Sequence, residues 1–209
     1  MNRQSDPFLD NLVADLMPVV PMRSRTAIAK TSGALLLTIA ALALALGLRS
    51  HVSTLFLLGS GLFLLLGAAA AWTVIASAKP QVGAIHTGWV WAAAMAGLLS
   101  ATALVMGLQQ ASPAWEASDP HGGILCLGMG VVCGLASAAM LVAWLRRGAP
   151  TSPERSGLLT GVAAGSLGMF AFSLSCPEDG LYHIGLWHSL SVVASAVLGR
   201  FIVPRLIRW

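Results

Sequence analysis

The chain has 209 residues, 56% of them hydrophobic and only 10% charged. A soluble domain carries about 25% charged residues, so this composition cannot cover a water-facing surface. The formal charge of +4 does not mark a nucleic-acid surface, because the Lys and Arg residues sit at the ends of apolar blocks rather than in one patch.

The first predicted element is a short amphipathic helix over residues 5–17. Ser5 or Asp6 supplies an N-cap, and Pro7 suits the first turn. Phe8, Leu9, Leu12, Val13 and Leu16 fall on one face at helical spacing, with Asp6, Asp10 and Asn11 elsewhere, and Pro18 and Pro21 stop the helix. About thirty residues, including Asp6, Asp10 and Asp15, precede the first apolar block, which excludes a signal peptide. The polar face carries Asp, whereas helices lying on a membrane surface usually carry Lys or Arg. Packing on the chain's own bundle and docking into a partner's groove both stay open.

Six apolar blocks follow, at about 31–48, 55–78, 89–108, 124–145, 158–175 and 186–203. Blocks of about 18 or more apolar residues read as bilayer-spanning segments. Only helices and closed barrels satisfy the backbone inside lipid, and the Leu- and Ala-rich composition favours helices. The expected fold is therefore all-α: a bundle of six transmembrane helices over 31–209, preceded by a separate segment 1–30. With six spans both termini share one side, and eleven of the twelve basic residues fall there, Arg49 alone lying opposite. The positive-inside rule then predicts cytoplasmic termini. The outer loops would be 49–54, 109–123 and 176–185, the last two holding Glu116, Asp119, Glu178 and Asp179 without Lys or Arg.

Of three cysteines, Cys126 and Cys176 map to similar depth at the outer ends of the fourth and fifth blocks. They are able to form a disulfide only where their Cα atoms approach within about 7 Å. Cys133 falls about two turns deeper and reads as a small buried apolar residue. His51, His121, His183 and His188 also map outward. Cys176, Glu178, Asp179, His183 and His188 occupy thirteen residues, a set suited to a soft or borderline metal although its spacing matches no standard zinc motif. The plainer reading packs His188 at a helix end and uses Tyr182 and Trp187 as interface anchors. Gly161-Val-Ala-Ala-Gly165 is a GxxxG pattern that permits close helix contact.

No Asp, Glu or Lys lies near mid-membrane, as a proton- or ion-coupled transporter would usually require. There is also no Walker-type loop, HExxH or GxSxG. No enzyme activity is expected. A small transporter, or a redox protein with His183 and His188 joined by His51 or His121 on haem or metal, is the rival reading from residues alone.

Leu12-Val-Ala-Asp-Leu-Met-Pro-Val-Val-Pro-Met-Arg23 followed by six blocks resembles the opening of the NrsF family of bacterial anti-sigma factors. The run from Cys176 through His183 to Trp187-His188 resembles that family's outer-face signature, and Cys126 matches its second cysteine. The resemblance implies an inner-membrane protein that silences an extracytoplasmic-function sigma factor and makes no direct nucleic-acid contact. It also implies that Leu12, Asp15, Leu16, Pro18 and Pro21 bind the sigma factor, and that Cys126 and Cys176 sense oxidants or heavy metals. His183 and His188 are candidate support for the sensor. No cofactor is implied beyond a metal at that Cys/His cluster.

Overall fold

The computed structural model describes residues 7–16, 21–79, 120–178 and 180–207. Pro18, the expected third span at 89–108 and the loop residues 109–119 lie outside them. Among the described residues the secondary structure is helical throughout, as the block pattern predicts. The helices are α1 (Pro7–Ala14), α2 (Ser24–Leu46), α3 (Thr54–Ser77), α4 (Pro120–Leu145) and α5 (Pro153–Ser173). The last, α6, runs without a break through Leu181–His183, a π-helical turn Ile184–His188 and Ser189–Ile207. Five of these, α2 to α6, are long and apolar enough to cross a membrane.

The helices overrun the apolar blocks where local chemistry favours an earlier start. Pro153 occupies the first turn of α5 with Glu154 beside it, so the helix begins five residues before the apolar stretch. In the same way α2 starts at Ser24, inside the segment set apart as 1–30, and carries Arg25 and Lys30 in its first turns. Ser53 caps α3 by accepting the Phe56 N–H at 3.1 Å. Hydroxyls within the apolar helices bond back to their own backbone: Ser60 to Phe56 O, Thr73 to Ala69 O and Thr160 to Ser156 O. Such a bond removes the cost of carrying a hydroxyl away from water.

The bundle is organised around α5, which is buried along nearly its whole length, while α3, α4 and α6 pack on its sides. The GxxxG pattern lies in the α5–α6 contact. A Cβ on Gly161 would strike the Ser195 carbonyl and meet the Ala196 Cα at 2.7 Å, and one on Gly165 would meet Ser195 Cβ at 2.7 Å. The pattern is therefore consumed within the chain rather than presented to a second copy. Leu36, Leu37 and Leu44 on α2, Leu57, Leu58 and Leu65 on α3, and Val193, Val197 and Phe201 on α6 all face outward. An apolar surface of that extent suits lipid and not water.

The two ends of the bundle differ in charge. At one end lie the last turn of α2, the first turns of α3, α4 and α6, and the turn after α5. Arg49 is there, its guanidinium 4.1 Å above the Phe56 ring. At the opposite end lie Arg23, Arg25, Lys79, Arg146, Arg147, Arg155, Arg200 and Arg205. Arg200, the basic residue farthest inside its apolar block, pairs there with Glu154 at 3.1 Å.

Candidate functional site

At the Arg49 end, residues far apart in sequence converge. Cys126 stands in the second turn of α4. Cys176 follows α5 by three residues in a turn that is fastened twice: its own N–H donates to Phe172 O at 3.1 Å, and Leu174 O accepts from the Arg49 N–H at 3.0 Å. The two thiols meet with their sulfurs 3.8 Å apart. His183 brings Nε2 to 3.9 Å from the Cys176 sulfur, and the His183 and His188 rings lie edge to face with centroids 5.2 Å apart. One ligand atom from each of Cys126, Cys176, His183 and His188 falls within 4.8 Å of the others, so the four could hold a metal ion.

The π turn makes this possible. His183 and His188 are five residues apart, which on an α-helix separates them by about 140° around the axis. A π turn closes i→i+5 bonds instead, so the two imidazoles come onto one face. Small residues seat the turn: a Cβ on Gly123 of α4 would collide with the Trp187 indole, and one on Gly59 of α3 would meet Ile184 Cγ2 at 3.1 Å. Phe63 of α3 stands behind His188, with ring centroids 6.2 Å apart.

The four side chains are almost closed to solvent. Cys176 is 1% exposed, His188 2%, Cys126 7% and His183 9%. Within this enclosure His188 Nε2 has no hydrogen-bond partner, an arrangement that buried polar atoms in folded proteins rarely tolerate. The Cys176 thiol is held below its ordinary pKa, first by the hydrogen bond from Cys126 and then, against the opposing effect of burial, by the His183 and His188 imidazoles beside it. A thiolate supported in this way is both a nucleophile and a metal ligand.

Other sequence-predicted residues fall outside the cluster. His51 and His121 are exposed and contribute no ligand atom to it, so the haem or metal set that joined either of them to His183 and His188 is not assembled among the described residues. Cys133 is buried deeper along α4, away from the other thiols. The N-terminal helix is shorter than expected, Pro7–Ala14, with Asp15 and Leu16 just beyond it. Val13 is 64% exposed and Leu16 73%, while Asp15 and Pro21 are also exposed. The side chain of Leu12 lies outside the described residues. Gly59 reads from the sequence as a small residue for close helix packing, but its place with Phe63 and Gly123 in the seat of the π turn does not. The seat's one sequence signal is the off-phase interval between two histidines at the head of an apolar block.

Residues 12–209 match the family model NrsF, negative regulator of sigma F. The chain is 30% identical over 160 residues to anti-sigma-F factor NrsF of Caulobacter vibrioides, spanning 69% of this chain and 68% of that protein. It is 34% identical over 61 residues, 29% of each chain, to the probable anti-sigma-F factor NrsF of Azospira oryzae. No solved structure matches it.

Proposed function

Because the chain belongs to the NrsF family of negative regulators of sigma F, we propose that it is an inner-membrane anti-sigma factor. In this reading it sequesters an extracytoplasmic-function sigma factor through its N-terminal segment and releases it when Cys126 and Cys176 change state. Residues 1–30, whose last seven already belong to α2, form the binding segment and 31–209 the membrane domain. Both termini are cytoplasmic, a reading supported by the basic residues gathered at the end of the bundle opposite the thiols. The thiols then face the periplasm, a compartment where disulfides form and persist.

The observation that carries the sensor half is the 3.8 Å approach of two sulfurs that are fifty residues apart in sequence. Oxidation by hydrogen peroxide would remove two electrons and two protons from the pair, give two molecules of water, and draw the sulfurs to about 2.05 Å. That closure pulls the turn after α5 toward α4. Since α5 touches every other long helix described, a shift at its thiol end has a continuous packed route to the opposite end. A coupling of about 1–3 kcal/mol changes sigma affinity roughly 5- to 150-fold.

The binding half draws on Leu12, Asp15, Leu16, Pro18 and Pro21, of which Leu16 stands uncovered beside Val13. The test uses the full chain. Purified in detergent from its native host with thiols reduced, it should co-purify with one sigma factor. Oxidation should release that factor, and the Cys126→Ser, Cys176→Ser double variant should retain it under oxidant. Capture of no sigma factor would overturn the binding role, and normal release from the double variant would sink the sensor role.

A further inference from the structure

We propose that Cys126, Cys176, His183 and His188 form a tetrahedral site for a divalent, closed-shell cation of the zinc class. The inference rests on the thiol pair of the preceding section being reduced in the resting protein, and it concerns what that resting state holds.

Four observations support it. First, the spacing fits. Zn–S bonds of about 2.3 Å at tetrahedral angles put two sulfurs about 3.8 Å apart, and the thiols stand at 3.8 Å. The same separation that readies the pair for a disulfide therefore also suits two ligands of one ion. Second, the ligand set is complete and compact, with four donor atoms within 4.8 Å of one another, and two sulfurs with two nitrogens is a tetrahedral donor set. Third, His188 is 2% exposed and its Nε2 has no partner. A cation answers an orphaned imidazole nitrogen that the protein itself leaves unsatisfied. Fourth, the π turn brings onto one face two histidines that an α-helix would turn apart. With both imidazoles on that face, each offers a ligand atom to the same point.

Charge selects the ion. Two thiolates and two neutral imidazoles carry −2, so a divalent cation leaves the buried centre neutral. A monovalent ion such as Cu⁺ would leave one net negative charge in a site almost closed to water, which is costly. Ligand type excludes Mg²⁺ and Ca²⁺, which require oxygen donors. A bound cation and a Cys126–Cys176 disulfide exclude each other, because both use the same sulfurs. Oxidation therefore releases the metal.

The experiment uses full-length protein in detergent, reduced and stripped of metal, titrated with Co²⁺ as the spectroscopic probe and then with Zn²⁺. Cobalt should bind at one ion per chain, with intense visible ligand-field bands of tetrahedral geometry and a thiolate charge-transfer band in the near ultraviolet, and zinc should displace it. His183→Ala and His188→Ala should each weaken binding at least tenfold and alter the visible bands. Diamide, which takes two electrons and two protons from the thiol pair and becomes a hydrazine, should abolish binding in the unsubstituted chain, where no variant can misfold. Unchanged cobalt spectra and affinity in both histidine variants, silence of the reduced protein toward Co²⁺ and Zn²⁺, or binding confined to Cu⁺ would each overturn the site. Sigma capture is read separately on the same samples. Metal binding without capture would condemn the regulatory reading and leave the site standing, and capture without metal binding would do the reverse.

Discussion

The thiol end of the bundle and the N-terminal helix are opposites in construction. At the thiol end, side chains from α4, α6 and the turn after α5 converge in an enclosure where no donor atom is more than 4.8 Å from the next. On α1 and just after it, Val13 and Leu16 are exposed although both are apolar. The difference separates a site the chain completes by itself from one it leaves for something else to complete. A buried cluster is organised before any signal arrives and pays little entropy when it reacts. An exposed amphipathic turn gains its energy only when a groove covers it.

The sharpest way to break this contrast is to charge the uncovered face. Val13→Asp with Leu16→Asp removes about 1.5–3 kcal/mol of burial per side chain and pushes carboxylates into an apolar groove. Sigma affinity should fall at least about 100-fold, measured by co-purification or by reporter derepression. The melting temperature of the purified protein should not move, since Leu16 is exposed in the chain alone. A lowered melting temperature would mean that α1 belongs to the bundle after all, and the contrast would collapse.

A second test lies in the packed body that joins the two regions. Gly161 lets α5 approach the Ser195 carbonyl of α6. Gly161→Leu adds a side chain where a Cβ alone already collides with backbone. Overpacking of this kind costs about 1–3 kcal/mol. Thermal unfolding in detergent should register the loss, and oxidant-driven release should weaken with it. Intact stability would show that the α5–α6 contact is looser than its glycine packing implies.

The thiol end is sharpened by chemistry rather than by substitution alone. An ordinary thiol, with a pKa of about 8.5, reacts about tenfold more slowly for each pH unit below that value, because the thiolate fraction falls with pH. Cys176 is lowered by the Cys126 hydrogen bond and by both histidines, so it stays a thiolate as pH falls through neutrality. The rate of its alkylation by iodoacetamide, a small neutral reagent, read by mass spectrometry of peptides, should be nearly flat between about pH 6 and 8. Cys126→Ser should restore part of the slope, because it replaces the thiol that contributes most. A steep profile in the unsubstituted protein would remove the case for a pre-organised thiolate.

How far the sequence foretold these regions follows from what each signal measures. Apolar block length measures the need to fill a bilayer, so it located the spans behind α2 to α6 but missed the polar first turns at Ser24 and Pro153. Charge at the block ends measures solvation, and it separated Arg49 from the other basic residues. The convergence of Cys126 with Cys176 depends on how the turn at Leu174–Cys176 is tied to Phe172 and Arg49, which no local pattern encodes. The π turn was equally hidden. Its cause is the fit of Trp187 against Gly123 and of Ile184 against Gly59, contacts between helices far apart in the chain. The GxxxG pattern was legible as close packing, but its partner, α6 rather than a second copy, was not.

The smallest expected effect belongs to the Arg200–Glu154 pair, at the end of the bundle away from the thiols. Its atoms are 3.1 Å apart, yet the side chains are 47% and 67% exposed, and exposed pairs contribute about 0–1 kcal/mol. Glu154→Gln should leave unfolding, sigma capture and oxidant response within experimental error. The position makes this informative. Glu154 lies in the first turn of α5, the helix that joins the sensor turn to the opposite end, and Arg200 lies on α6, its closest neighbour. If release changed severalfold in the variant while stability held, the pair would be a latch between α5 and α6 that the output depends on. The route from thiols to α1 would then pass through one surface ion pair instead of the packed glycine interface.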